Sequence, residues 1–167
     1  THDADRRLVK ITDPRGNQTM FGHNGMGELA SLTDAKGNTT RWTYDIEGRL
    51  TSKQYPDSST VSYFYEGTTS RLQLVADPLG QVKQFSYAED NRVTRISYRY
   101  AINPTSSVAF TYDPYFPRLT LMTDGTGTTQ YSYVPVGSVG ALQLQQESSA
   151  LPDSTIMTTG PPKRNVA

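Results

Sequence analysis

An aromatic or imidazole side chain recurs at nearly constant spacing along most of this 167-residue sequence. Successive members of this opener column lie 21, 21, 21, 22, 25 and 21 residues apart. The members are His2, His23, Tyr44, Tyr65, Tyr87, Tyr112 and Tyr133. Such a fixed period is typical of arrays in which each repeat is one supersecondary unit that stacks on its neighbours. The spacing therefore predicts a tandem-repeat fold.

Other columns keep the same register. A second aromatic lies two residues before most openers, as Trp42 lies before Tyr44. After the opener come a polar segment, a basic residue and an aliphatic residue, as in residues 45–50. Three residues beyond the aliphatic one, the column is apolar in five of six units: Ile11, Leu32, Lys53, Val75, Ile96 and Met122. Several columns of the sequence thus recur with the same spacing, which supports a single repeating unit.

Two tight turns are predicted in each repeat. Gly48 ends the turn after the opener Tyr44, and Asn91 occupies the same slot after Tyr87, so we expect positive φ there. The other row of turns uses an Asp that can bond to the backbone ahead and a closing Gly, often with Pro between them. These Asp and Gly pairs are Asp13 and Gly16, Asp34 and Gly37, and Asp77 and Gly80.

The stretches between the turns have the length and composition of β-strands. Residues 38–44, for example, are rich in Thr and aromatic side chains. A two-residue period places Trp42 and Tyr44 on one face, and Arg41 and Thr43 on the other. We predict an all-β fold of tandem β-hairpin repeats of about 21 residues each, forming an extended, curved antiparallel sheet strip.

The columns also predict the domain organisation. Residues 1–146 form the repeat array, with about six units and a variant last one. Residues 147–167 lose the register, so we predict an irregular, disordered tail there. The unit opened by Tyr65 has one extra residue and the unit opened by Tyr87 has four, which predicts longer loops in both.

Composition excludes several classes of function. Lys and Arg total 16 and Asp and Glu total 16, so the sequence lacks the positive charge of a nucleic-acid binder or a polybasic membrane-surface protein. With no Cys, it has no disulfides, thiolate metal sites or cysteine nucleophiles. No apolar run has the length of a membrane span, and no signal pattern opens the sequence. We expect any export signal to lie outside this chain.

Residues 44–51 carry a family resemblance. Their pattern of Tyr44, Asp45, Gly48, Arg49 and Leu50 resembles the YD repeat of RHS-repeat proteins. Residues 13–19 and 34–40 resemble its second half, and residues 136–142 resemble part of a longer variant repeat. The resemblance, which covers about residues 2–133, implies a sheet strip that spirals into a hollow shell. In bacterial polymorphic toxins and the C components of insecticidal toxin complexes, such a shell encloses a toxic C-terminal domain. In teneurins, related repeats form cell-surface adhesion modules.

On this resemblance we expect a secreted or cell-surface, non-enzymatic segment of an RHS shell that encapsulates or delivers a toxic C-terminal payload. Its expected partners are neighbouring YD repeats of the parent chain and an encapsulated toxin domain or surface glycan, with no nucleic acid and no membrane span. The alternative is an extracellular adhesion or carbohydrate-binding module, with Trp42, Tyr98 and Tyr100 as candidate stacking residues. The family's terminal aspartyl-protease motif has no match here, so no catalytic residue and no cofactor are predicted.

The remaining polar candidates fit the repeat better than a metal site. His2 and His23 occupy the opener column, so we interpret them as aromatic substitutes. An Asp that follows the opener, such as Asp45, supplies one oxygen donor group per repeat, whereas Ca²⁺ needs six to eight converging oxygens. We expect no metal. The balanced charge instead indicates that the turn Asp pairs with the Arg before the aliphatic residue, as Asp45 with Arg49.

Overall fold

The computed structural model describes residues 1–151 and 156–159, the latter segment by its backbone. These residues form fourteen β-strands and include no helix. The chain divides into an N-terminal unit, Thr1–Val82, and a C-terminal unit, Lys83–Ala167. The predicted all-β fold of antiparallel hairpin repeats is confirmed.

In the N-terminal unit, seven strands follow an isolated bridge between His2 and Leu8. Each strand pairs antiparallel with the next one in chain order, because the tight turns leave no room for another connection. The strands are β1 (Lys10–Thr12), β2 (Gln18–His23), β3 (Leu29–Thr33), β4 (Thr39–Tyr44), β5 (Leu50–Gln54), β6 (Thr60–Tyr65) and β7 (Leu72–Ala76).

The C-terminal unit repeats this arrangement. From β9 onward, each strand again pairs antiparallel with its successor in chain order. The strands are β8 (Val82–Tyr87), which begins at the last residue of the N-terminal unit, β9 (Val93–Arg99), β10 (Val108–Tyr112), β11 (Leu119–Asp124), β12 (Gly127–Tyr133), β13 (Leu144–Ala150) and β14 (Ile156–Thr159).

A β-bulge lies beside the opener in the hairpins opened by His23, Tyr44, Tyr65, Tyr112 and Tyr133. Tyr44 pairs with Leu50 and Thr43 pairs with Ser52, so Thr51 is the extra residue in β5. The bulge shifts the alternation of β5 by one residue. Because Trp42 pairs with Lys53, both Leu50 and Lys53 lie on the face of Trp42 and Tyr44. This explains the three-residue spacing between the aliphatic column and the apolar column, which an undisturbed strand does not allow.

The sheet in each unit is a single layer. Within residues 1–151, no side chain is fully buried, and most strand residues are half-buried. In β4 the exposed residues are Arg41 and Thr43, while Trp42 and Tyr44 are half-buried, as the two-residue period predicts. In the absence of a described second layer, contacts between consecutive strands and turns hold each unit together.

The predicted boundary of the tail is wrong. Residues 147–150 belong to β13, which pairs with β12 on one side and with β14 on the other. Backbone hydrogen bonds make these pairs, so the strand does not need the column residues that end near position 146. Residues 152–155 and 160–167 lie outside the described residues.

The two predicted longer loops are present. The turn after Tyr65 closes with a hydrogen bond from the Glu66 N–H to the Arg71 carbonyl. Residues 100–107 connect β9 to β10 as a loop.

Over the described residues, the structure contains no apolar helix of membrane-spanning length.

Candidate functional site

The turn after Tyr44 is organised by the carboxylate of Asp45. Its Oδ1 accepts the backbone N–H groups of Glu47 and Arg49, each at 2.9 Å, and its Oδ2 accepts Nε of Arg49 at 2.7 Å. Gly48 closes the turn with a φ of 77°, which glycine adopts without a Cβ penalty. Partial burial disfavours the charged carboxylate, but the hydrogen bonds from Arg49 outweigh it and lower the pKa of Asp45.

The same ion pair recurs in other opener turns, which confirms the predicted pairing of turn Asp with recurrent Arg. Two pairs differ in detail: a Glu replaces the Asp before Arg71, and Arg92 pairs with an Asp two residues before it. The Nε-to-carboxylate distances are 2.8 Å for Arg7 and Asp3, 2.7 Å for Arg71 and Glu66, 2.6 Å for Arg92 and Asp90, and 2.9 Å for Arg118 and Asp113.

The arginine of three opener turns also contacts the next repeat. The guanidinium carbon of Arg49 lies 4.8 Å from the ring centre of Tyr65, the following opener. In the C-terminal unit, Arg92 lies 4.6 Å from the Tyr112 ring and Arg118 lies 4.4 Å from the Tyr133 ring. These are cation–π distances. One arginine therefore joins its own turn to the adjacent hairpin.

The opener hydroxyl completes the link between repeats. The Tyr65 hydroxyl donates to the carbonyl of Leu50 at 2.9 Å, and partial burial raises the pKa of that tyrosine. Equivalent bonds join Tyr44 to Leu29 (2.9 Å), Tyr112 to Val93 (2.8 Å) and Tyr133 to Leu119 (2.6 Å). We call this arrangement of Asp, Arg, aliphatic carbonyl and next opener Tyr the inter-repeat brace.

One brace is modified and one is incomplete. In the second repeat, Asn24 and Glu28 replace the Asp and Arg, and Nδ2 of Asn24 donates to Oε2 of Glu28 at 2.8 Å. His23 stands where other repeats have the opener Tyr, and its Nδ1 is buried without a hydrogen-bond partner among the described residues. The ring thus fills the opener position but makes no described bond to the preceding repeat through this atom.

The other row of turns contains the predicted Asp and Gly residues. Oδ1 of Asp13 accepts the backbone N–H groups of Arg15 and Asn17, and Oδ2 accepts Nδ2 of Asn17 at 2.8 Å. Hydrogen bonds from the Asn17 side chain and backbone lower the pKa of Asp13. Asp34 and Asp77 make the same set of bonds in their turns. The closing Gly16, Gly37 and Gly80 all have positive φ.

The candidate stacking residues fall in different units. Trp42 is half-buried in the N-terminal unit, with Nζ of Lys53 6.0 Å from its ring centre. Tyr98 lies in β9 and Tyr100 follows it with 79% exposure, both in the C-terminal unit. Arg41 lies on the opposite face from Trp42, as adjacent strand residues do, and the bulge brings Lys53 to the face of Trp42 instead. Ligand stacking stays a prediction.

The column pattern contains the residues of the brace, but sequence reasoning missed the contacts between repeats. It paired Asp45 with Arg49 inside one turn and did not connect Arg49 to Tyr65. The available signal was the joint recurrence of an Arg before the aliphatic residue and a Tyr opener in the next repeat. No group of three or more His, Asp or Glu side chains with metal-binding geometry occurs among the described residues.

A protein-family comparison matches the part of the sequence that contains this turn. The RHS Repeat family profile matches residues 23–60, which include the Tyr44 turn and its Asp45–Arg49 ion pair. The match supports the resemblance to RHS repeats over these residues. No curated protein sequence gives a significant match.

Solved structures share the fold of this chain. The Photorhabdus luminescens Tc holotoxin pore with a mutation in TccC3 aligns with a TM-score of 0.78 and 20% identity, over 96% of this chain and 9% of that chain. The crystal structure of TcdB2-TccC3-TEV aligns with a TM-score of 0.76 and 18% identity, over the same shares of the two chains. The crystal structure of TcdB2-TccC3-Cdc42 aligns with a TM-score of 0.65 and 19% identity, over 79% of this chain and 7% of that chain. This chain therefore spans under a tenth of each matched chain.

Proposed function

We propose that this chain is a segment of the wall of an RHS shell, and that the shell encapsulates or delivers a toxic C-terminal domain. The observation that carries the proposal is the inter-repeat brace. Where it is complete, it joins one hairpin to the next through Arg–Tyr stacking and a hydroxyl-to-carbonyl bond, as between Arg49, Leu50 and Tyr65. A wall one layer thick needs such links, because its strands have no second layer to pack against.

The proposed role is non-enzymatic. Carboxylates in both rows of turns are occupied by hydrogen bonds from their own turns, as Asp13 is by Asn17 and Asp45 is by Arg49. These turn carboxylates stabilise local structure. Among the residues of the brace, none is placed beside them as a separate catalytic base or nucleophile. We further propose that the chain acts outside the producing cell or at its surface, in keeping with a toxin-delivery role.

The fold of the solved neighbours supports a structural role for the repeats. Their names associate this fold with the TccC3 component of Tc toxin assemblies. Encapsulation predicts that a domain following the wall is hidden from solvent. The test is limited proteolysis of the polypeptide that carries this segment, comparing the native wall with an Arg49→Ala/Tyr65→Phe variant.

We expect the C-terminal domain to resist protease in the native polypeptide and to become cleavable in the brace variant. Arg41→Ala is the matched control, because Arg41 is exposed and lies outside the brace. Equal cleavage of that domain with a native wall and with a broken wall would count against encapsulation. Glycan binding that is lost on Trp42→Ala would favour the adhesion alternative instead.

A further inference from the structure

The second opener turn contains the one Asn-Gly pair in the sequence, Asn24-Gly25. An Asn side chain followed by Gly can react with the backbone nitrogen of that Gly, because the missing side chain leaves the nitrogen accessible. Gly25 is exposed, and a Cβ built on it meets nothing within 4 Å. Within residues 1–151, the Gly25 N–H donates no hydrogen bond, so it is available as a nucleophile.

The folded turn also activates the electrophile. Oδ1 of Asn24 accepts the backbone N–H groups of Met26 and Glu28, each at 3.0 Å. Two such donors stabilise negative charge that develops on an amide oxygen, as an oxyanion hole does in acyl transfer. Oε2 of Glu28 accepts Nδ2 of the same amide at 2.8 Å. The amide is therefore held with its oxygen on the two N–H groups and its nitrogen toward Glu28.

We propose that Asn24-Gly25 is a self-modifying site, at which the folded turn promotes conversion of Asn24 to Asp or isoaspartate. Solvent base removes the Gly25 N–H proton, and the nitrogen attacks Cγ of Asn24 to form an N–Cγ bond. The negative charge passes to Oδ1. The Cγ–Nδ2 bond then breaks, and Nδ2 takes a proton from solvent and leaves as ammonia. Water then opens the cyclic imide. The balance is one water consumed and one ammonia released, with no oxidant or reductant.

The conversion has a structural consequence. In other repeats an Asp in this slot faces an Arg, as Asp45 faces Arg49. Here the partner is Glu28, so the product places a new carboxylate where an amide donor met Oε2. The reaction removes a hydrogen bond and adds repulsion between like charges. It therefore acts as a slow timer that loosens the hairpin formed by β2 and β3.

The test is incubation of the full chain in mildly alkaline buffer, followed by peptide mapping. We expect the mass increase of an amide-to-acid conversion at Asn24, at a rate at least about tenfold above that of an isolated peptide covering residues 19–29, because one oxyanion donor alone accounts for a larger factor in enzymes. Absence of conversion at Asn24, or a peptide that reacts as fast as the folded chain, would overturn the proposal.

Gly25→Pro is the matched control. Pro follows the first residue of turns with the same N–H to Oδ1 hydrogen bond, as Pro14 and Pro78 do in the other row of turns and Pro114 does in an opener turn, so this turn geometry accepts it. Proline has no N–H to lose, and this variant should not convert. Gly25→Ala keeps the N–H and should convert more slowly, which provides a second comparison if the proline variant does not fold. Unchanged conversion in Gly25→Pro would exclude attack by this nitrogen.

Discussion

The guanidinium carbon of Arg49 lies 4.8 Å from the ring centre of Tyr65, the opener of the following repeat. The same arginine pairs with Asp45 in its own turn, and the Tyr65 hydroxyl donates to the carbonyl of Leu50. Each contact is weak by itself, since exposed ion pairs and cation–π contacts contribute at most about 1 kcal/mol. Recurrence in successive repeats allows these contacts to stabilise a sheet that lacks a described core.

Arg49→Ala should lower the free energy of unfolding by about 1–2 kcal/mol, because it removes both the ion pair and the contact with Tyr65. Urea denaturation followed by circular dichroism measures the change. The control is Arg41→Ala, which removes an exposed arginine from the opposite face and should alter stability by less than about 0.5 kcal/mol. An equal loss in both variants would contradict a specific role for the brace.

Tyr65→Phe should destabilise the chain by about 1 kcal/mol, since it deletes one hydroxyl-to-carbonyl hydrogen bond and keeps the ring. The same urea experiment provides the measurement. Tyr55→Phe removes a hydroxyl from an exposed tyrosine without a described hydroxyl bond and should have little effect. An unchanged free energy of unfolding in Tyr65→Phe would show that the hydroxyl-to-carbonyl bond between repeats does not contribute to stability.

His23→Tyr should stabilise the chain by about 1 kcal/mol, because it supplies the opener hydroxyl that other repeats bond to the preceding aliphatic carbonyl, here Leu8. It also removes the buried Nδ1 that lacks a partner. His2→Tyr is the control, because the His2 side chain is exposed whereas that of His23 is half-buried. The midpoint of urea denaturation should rise for His23→Tyr alone. A fall would show that the Tyr hydroxyl cannot reach Leu8.

Acid should destabilise the fold through the turn carboxylates. Hydrogen bonds from the Asn17 side chain lower the pKa of Asp13, and those from the Asn38 side chain lower that of Asp34. The folded state therefore binds fewer protons than the unfolded state. The resulting stability is fully present above the unfolded pKa of about 3.9 and is lost as the pH falls through the folded values.

Urea midpoints measured from neutral pH down to about pH 2 test this dependence. We expect a plateau that ends as the pH approaches the unfolded carboxylate pKa, followed by a decline. Asp13→Asn/Asp34→Asn should flatten the decline, because Asn keeps an oxygen acceptor for the turn but does not titrate. If the urea midpoint falls with pH equally steeply in the variant and the native chain, other carboxylates cause the acid sensitivity.

Local features were predictable from the sequence to a large extent. The turns with Asp45 and Asp13 were predicted because their hydrogen bonds join residues two to four positions apart. Positive φ at Gly48 and Asn91 followed from the same turn chemistry. The tail boundary was wrong because β13 is held by backbone pairing with β12 and β14, and backbone pairing leaves no residue-type signal.

The sequence by itself determined the period, the strands, both rows of turns and the Asp–Arg pairs, because short-range geometry and residue type decide each of them. Only the tertiary structure decided how one repeat is joined to the next. The bulge at Thr51 brings Lys53 rather than Arg41 to the face of Trp42, and the Tyr65 hydroxyl reaches a carbonyl 15 residues earlier. These contacts depend on strand register, which is set by the pairing of whole hairpins.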